Sequence, residues 1–360
     1  MRGISIPFVS KRPDKDGGRD AWQPDEHPRH GTGVTLRIAI IGAGAAGLVT
    51  AAKLAERGQT ADLFEASDRL GAGAASWLAG GMLAPFCEAE DAGPGIVAPG
   101  HAGIEWWAAT VPDVRRGGTL VVAPARDRGD LARFARRTAG HERIGAERIA
   151  ALEPDLAGRF GEALFFAEEA HLDPRLALEN LAERVTSAGS RIHFGSTVAP
   201  QALDHDVVVD CRGSAAAGEI PALRPVRGEM LILRTQDVSL SRPVRLLHPR
   251  WPVYVVPRGD GLFMVGATVV ETDDRRSVTA RGMVDLLNAA YALHPAFAEA
   301  EIVETGSGLR PAFPDNLPRV SRDGRVVSVN GLYRHGFLLS PAMADEAVSH
   351  ILGERLKAAS

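Results

Sequence analysis

One run restricts the fold more than any other: RIAIIGAGAAGLVTAAKLAERGQTADLFE, from Arg37 to Glu65. RIAII is a short β-branched stretch suited to a buried parallel strand. Gly42, Gly44 and Gly47 follow it in G-x-G-x-x-G spacing. The first glycine allows a tight turn, the second lets backbone approach a pyrophosphate, and the third lets helix lie close on strand. LVTAAKLAERG reads as the helix and ends at Gly58, the usual C-terminal stop position. TADLFE supplies a second strand closing on Glu65, where an acid would meet a ribose hydroxyl. The expected dinucleotide contacts are therefore Gly42, Gly44, Ala45, Ala46, Gly47 and Glu65. The pyrophosphate would sit on the helix N-terminus, whose free N–H groups favour anions.

That motif serves NAD and FAD alike. The next stretch, ASDRLGAGAASWLAGGMLAP, favours FAD. A loop this rich in small residues lets backbone come close to a large flat ring system. Trp77, Leu78, Met82 and Leu83 are too apolar for a solvated loop, so Ala75, Ser76, Gly81 and Met82 join the expected cofactor contacts.

Composition narrows the class. The formal net charge of -4 gives no basic footprint for nucleic acid. No apolar run reaches the roughly 20 residues needed to span a bilayer. Cys87 and Cys211 stand far apart, in no CxxC or metal-ligand spacing, and read as packing residues in a reduced compartment. The expectation is a soluble, cytoplasmic protein with no metal. Residues 1–34 have mixed charge, Pro and Gly without apolar period, fit neither a secretory signal nor a transit peptide, and read as a disordered extension.

Further along, DHDVVVDCRGSA is strand-like and should return to the nucleotide sheet. From Leu223 the strands lengthen and alternate (RGEMLILR, PVYVVPR, LFMVGATVV), which suggests an antiparallel sheet. The chain closes with VVSVNGLYRHGFLLSPAMADEAVSHILGERL, a strand, a Gly-rich turn and a helix. There is no internal repeat. The expected class is α/β with α+β elements: a Rossmann-like FAD-binding domain from 36–90, 142–216 and 305–358, interleaved with an antiparallel-sheet substrate domain from 91–141 and 217–304.

IIGAGAAG, ASWLAGGMLAP, VVVDCRG, LRPVRGEM, YVVPR, MVGAT, GLRP and GLYRHGFLLSP, in that order, resemble the D-amino-acid-oxidase superfamily of flavoproteins. Within it, ASWLAGGMLAP, YVVPRGDG and GLRPAFPDNLP are most similar to the glycine-oxidising branch that serves thiazole biosynthesis. The resemblance covers about residues 36–355. It implies noncovalent FAD and hydride transfer from a small amine's Cα to flavin N5. The products would be an imine, then a 2-oxo acid and ammonia, with O2 reduced to H2O2. It implies that Arg310 clamps the substrate carboxylate, that Tyr254 adds a hydroxyl to it, that backbone at Arg334 accepts from the amine, and that Val269 walls the pocket. Val198, Gly213, Gly336, Phe337 and Leu338 would complete the cofactor contacts. A homo-oligomer and delivery of the imine to thiazole synthase are further implications.

The residue types suit these roles. Arginine's planar fork matches a carboxylate through two parallel hydrogen bonds. Tyr254 could equally be a core aromatic, Arg334 could simply pair with an acid, and Arg258 and His335 read as structural. Leu332 and the run Pro341 to Ala344 depart from the family pattern, which commonly has His and P-A-T-G there; Pro341 is expected near the helix N-terminus. A D-amino-acid or sarcosine oxidase or dehydrogenase is the nearest alternative, and a noncatalytic dinucleotide-binding module is the alternative of another class.

Overall fold

The computed structural model describes residues 36–353. The expected N-terminal extension, 1–34, and the end of the last expected nucleotide segment lie outside them. Ile38–Ile41, buried along its whole length, runs through the interior of a six-stranded sheet. Ala61–Phe64 and Val207–Asp210 flank it in parallel, with Ile38 opposite Ala61 on one side and Val207 on the other. VVVDCRG thus does return to the nucleotide sheet. Arg191–His193 and Val326–Asn330 widen the parallel array, and Arg319–Asp323 closes one edge antiparallel. Apolar residues at consecutive positions suit strands covered on both faces. Helices Ala45–Ala55, Pro174–Ser187 and Gly336–Leu352 supply much of the cover, through Leu48, Leu54, Leu181, Phe337 and Val348.

The turn after the first strand is sterically closed. Gly42 has φ +100°, and a Cβ there would lie 2.6 Å from the Cys211 carbonyl oxygen. A Cβ at Gly47 would lie 1.9 Å from the Gly42 carbonyl oxygen. Both cysteines are buried and unpaired, as expected.

The second sheet has eight strands, in the spatial order Glu301–Ala312, Arg224–Arg234, Leu262–Gly266, Val253–Gly259, Val244–Leu246, Thr119–Val122, Glu162–Phe166, Glu142–Gly145. Every neighbouring pair is antiparallel except Val244–Leu246 with Thr119–Val122. Alternation gives its central strands two apolar faces. Leu231 and Leu233 join Val255, Val265 and the helix Ala280–Leu293. Met230 and Ile232 join Tyr254, Val256 and Met264, against Leu78 and Met82 of the small-residue loop. The class is the expected one: a nucleotide-type parallel sheet interleaved along the chain with a mainly antiparallel sheet.

The segment boundaries differ from expectation. Glu142–Gly145 and Glu162–Phe166, expected with the nucleotide sheet, pair in the second sheet. Glu301–Ala312 is one continuous strand of that sheet across the expected boundary at 305. Helix Val97–Thr110, expected with the substrate segments, buries Ile104 and Trp107 in the first core. Local pattern locates a strand, whereas sheet membership depends on partners distant in sequence.

The last helix also differs. It begins at Gly336, so Pro341 lies inside it. A proline there cannot donate to the carbonyl four residues back, that of Phe337. Trp107 takes the vacancy, its Nε1 donating to the Phe337 oxygen at 2.6 Å in a buried bond. Helix Pro85–Ala92 borrows its cap as well: Ala84 offers no capping side chain, and Glu169 Oε1 accepts the Cys87 N–H at 2.7 Å. Among the described residues no helix is long and apolar enough to cross a membrane.

Two outcomes are expected. Trp107→Phe orphans a buried carbonyl, at a cost of about 1–3 kcal/mol beyond lost packing. Denaturant unfolding should show the loss, and adding Pro341→Ala, which restores a backbone donor, should recover part of it. An additive double variant would contradict the account. Glu169 gives a pH signature, because burial pushes its carboxyl up to about 7 despite the Cys87 N–H. A raised carboxyl binds its proton more tightly folded than unfolded. Its contribution is therefore full below the ordinary 4.5 and lost as pH rises towards about 7. Glu169→Gln should remove that part of the decline, so the stability difference from wild type must change across this window.

Candidate active site

A cleft of about 980 Å³ lies between the two sheets. One wall consists of Gly44, Ala45 and Ala46, the loop residues Ala75, Ser76, Gly81 and Met82, Gly213, and Gly336, Phe337 and Leu338. Facing them are Gly228, Met230, Tyr254, Val269 and Arg310, with Tyr333 and Arg334 at the junction. Four expected contacts do not line it. Gly42 and Gly47 form the turn beneath. Glu65 stands behind that turn, Oε2 accepting the Ala43 N–H at 2.8 Å and Oε1 the Ser67 N–H at 3.0 Å. Val198 packs against a cluster of Ala39, Ile41 and Val208 on the sheet.

The cleft suits a dinucleotide. Its volume stands at the upper end of ligand pockets, roughly 300–1,000 Å³. Helices Ala45–Ala55 and Gly336–Leu352 both present their N-termini to it, and neither has a side-chain N-cap. Ser76 Oγ accepts one first-turn N–H, that of Ala45, at 3.2 Å. Two helix N-termini with few acceptors form a cradle for negative charge. Glu65, with each oxygen holding one N–H, keeps lone pairs for hydroxyl donors.

The opposite wall is prepared by glycines. Gly228 and Gly308 are cross-strand partners, and Arg310 stands two residues along the same face as Gly308. A Cβ at Gly228 would lie 2.1 Å from Arg310 Nη2, so the guanidinium lies flat over a strand position that has no side chain. A Cβ at Gly306 would lie 2.8 Å from Leu78, which is how the small-residue loop reaches this sheet. Arg310 Nη1 donates to the Thr268 carbonyl at 3.1 Å. Among the described residues it has no carboxylate partner. Desolvation and the nearby Arg334 push it down to about 10, which leaves it cationic at neutral pH.

Beside it lies a buried polar network that the sequence did not disclose. Tyr254 Oη donates to Glu88 Oε1 at 2.7 Å and accepts from Arg245 Nη1 at 2.8 Å. Arg245 also reaches the Cys87 carbonyl at 3.2 Å and Glu90 at 3.3 Å. Arg334 lies 3.6 Å from Glu88 and 3.1 Å from Asp91, and His335 Nδ1 is 3.3 Å from Glu88 Oε2. Burial alone would raise Glu88, but Arg334, His335 and Arg245 outweigh it and hold the carboxyl well below the usual range. Glu88 in turn raises Arg334 against its own desolvation. Burial pushes the Tyr254 phenol well up, so it stays protonated.

Three of the singled-out side chains are engaged within the protein. Tyr254 directs its hydroxyl proton at Glu88. Arg334 does pair with acids, while among the described residues nothing donates to its backbone carbonyl. His335 is buried beside Glu88, in keeping with its reading as a structural histidine. Arg258 is structural as expected, donating to the carbonyls of Leu172, Ala79 and Gly80 at 2.9, 2.8 and 3.1 Å. Val269 does line the cleft. Glu88 and Arg245 were missed because the segments that bring them together lie far apart in sequence. The one available signal was a lone arginine inside the apolar strand PVRLL.

A Rhizobium etli protein named for thiamine biosynthesis, ThiO, is 56% identical over 321 residues, covering 89% of this chain and 98% of that protein. The glycine oxidase of Pseudomonas aeruginosa is 28% identical, over 85% of this chain and 92% of its own. The crystal structure of glycine oxidase from Geobacillus kaustophilus superposes with a TM-score of 0.77 at 25% identity, covering 90% of this chain and 96% of that one. Residues 37–349 match the DAO family, described as FAD dependent oxidoreductase, and the chain belongs to that family, an enzyme whose cofactor is FAD.

Proposed function

We propose that this enzyme oxidatively deaminates glycine or a similarly small amino acid. The single observation that carries the reading is Arg310, a cation held in the cleft with no acid partner among the described residues. An enclosed charge without a partner is costly, and a substrate carboxylate removes the cost while fixing its own orientation. Bound FAD supplies the two-electron acceptor for the hydrogen that leaves the substrate Cα, with O2 the final acceptor and H2O2 a product. The chain supplies the rest. Gly44, Ala45, Ala46, Glu65 and the helix starting at Gly336 hold the cofactor, without covalent attachment. Arg310 grips the carboxylate, and the carbonyl of Arg334 accepts from the amine, so the Cα–H is held in one direction. That is the positional share of catalysis.

The neutral amine needs no side-chain base in this scheme. The imine would hydrolyse to glyoxylate and ammonia when glycine is the substrate. The name of the Rhizobium etli relative supports a place in thiamine biosynthesis, and in this reading thiazole synthase would receive the imine. The deciding experiment is an anaerobic screen of the FAD-loaded protein against glycine, sarcosine, D-alanine and D-proline. Glycine should bleach the flavin fastest. Much faster bleaching by D-alanine or D-proline would overturn the substrate assignment, and none with any amine would overturn amine oxidation.

Two variants separate the roles. Arg310→Ala should raise the glycine KM about 10- to 100-fold, the worth of a charged hydrogen-bonded contact, with FAD still bound. Loss of flavin with KM unchanged would contradict this. Glu65→Ala should do the reverse, weakening FAD binding while leaving KM near wild type at saturating cofactor.

A further inference from the structure

The small-residue loop has its carbonyls held from behind. Arg258, near the end of the strand Val253–Gly259, donates from Nη2 to the Ala79 and Gly80 oxygens at 2.8 and 3.1 Å, and from Nη1 to the Leu172 oxygen at 2.9 Å. The Gly81 oxygen accepts the Leu172 N–H at 2.9 Å. The Arg258 side chain is 8% exposed and stands 3.8 Å from Asp173. Burial pushes the guanidinium down to about 10, so it stays cationic at neutral pH. Ala79, Gly80 and Gly81 line the cleft and Arg258 does not, so the loop lies between the cation and the cleft.

A trans peptide sets its N–H antiparallel to its C=O. The Ala79 carbonyl shares a plane with the Gly80 N–H, and the Gly80 carbonyl with the Gly81 N–H. One guanidinium nitrogen thus orients two consecutive planes and turns both N–H groups away from itself, toward the cleft. Among the described residues nothing accepts either N–H. Two adjacent donors of this kind, backed by a buried cation, are pre-arranged for electron-rich atoms.

The course of the loop decides which part of a dinucleotide this pair meets. Ser76 Oγ accepts the Ala45 N–H, at the helix start that suits the phosphates. Met82 packs with Met230, Tyr254 and Met264 of the second sheet, and a Cβ at Gly80 would lie 3.7 Å from Val256 of that sheet. With the phosphates at the first helix and a ribose hydroxyl at Glu65, the flavin is the part of FAD left for this end of the cleft.

We infer that Arg258 is a positioning residue for the cofactor: its grip on the Ala79 and Gly80 carbonyls aims the Gly80 and Gly81 N–H groups at the flavin ring, and so favours the reduced, more electron-rich ring over the oxidised one. The inference rests on the family's FAD and is independent of the substrate proposed above.

Arg175 supplies the control. It grips the same loop earlier in the chain, Nε donating to the Trp77 oxygen at 3.3 Å, and ties it to Glu304 through bonds of 2.8 and 2.7 Å, without touching the two planes. Wild type, Arg258→Met and Arg175→Met are compared as FAD-loaded proteins, without substrate, by redox titration against a reference dye. Wild type should hold reduced FAD more tightly than oxidised FAD, placing its potential above that of free FAD. Arg258→Met should cut this preference about tenfold, the margin of a hydrogen bond to a charged acceptor over one to a neutral acceptor. For a two-electron couple that is a fall of about 30 mV. Arg175→Met should keep the preference within about twofold of wild type. An unchanged potential in Arg258→Met would overturn the inference. So would an equal fall in Arg175→Met, since any loosening of the loop would then suffice. Should Arg258→Met not hold FAD, Arg258→Lys replaces it, because lysine keeps the charge and loses the fork that spans Gly80 and Leu172. A lowered potential in that variant supports the grip, and a wild-type potential overturns it in favour of charge alone.

Discussion

The architecture depends on a steric constraint at the first turn. The Gly42 carbonyl occupies the space a Cβ at Gly47 would need, and the Cys211 carbonyl occupies the space of one at Gly42. Three chain segments meet there at backbone distance: the first strand, the first helix, and the strand that returns from Val207. Because they meet so closely, the helix starts directly over the sheet edge and its N-terminal N–H groups face the cleft. A side chain at either glycine would push helix from strand and move the cradle.

The charges in the cleft are divided unevenly, and the division has meaning. Arg334 and Arg245 each find acids within the protein, through Glu88, Asp91 and Glu90. Among the described residues, Arg310 finds a carbonyl oxygen and no acid. Removing one partner of a buried pair is more costly than never pairing. In the function proposed above, the third, Arg310, is the one that a substrate carboxylate would meet. The paired members have another use. They hold the helix of Glu88, the second sheet and the turn before the last helix in fixed relation, so the empty position keeps its shape.

Much of the first sheet was legible because its signals are local. Strand, turn, helix, strand and acid fall within thirty-odd residues, and each glycine has a distinct geometric reason. The strand Val207–Asp210, just before Cys211, was also legible, as an apolar run followed closely by a glycine. What could not be read depends on distance. Glu142–Gly145 and Glu162–Phe166 join the second sheet through Thr119–Val122, and nothing in their own residues says so. Pro341 suggested a helix start, and only the indole of Trp107, from another helix, explains how the helix runs through it. Arg310 was legible from GLRP, yet the direction of the Tyr254 hydrogen bond was not. That direction is set by Glu88, which comes from a segment far away in sequence.

The face of the second sheet that looks on the cleft breaks the ordinary rules for strands. Glycine weakens a strand by roughly 0.5–1 kcal/mol relative to alanine, yet Gly228, Gly306 and Gly308 cluster here on adjacent strands. The opposite face offsets this, with Leu231, Leu233, Val255 and Val265 buried under the helix Ala280–Leu293. One face thus carries the stability that frees the other from packing. On the freed face, a guanidinium lies across bare backbone at Gly228, and the loop bearing Leu78 approaches at Gly306. Gly228 and Gly308 thus keep side chains out of the cleft they line, the space that the proposed reading gives to cofactor and substrate.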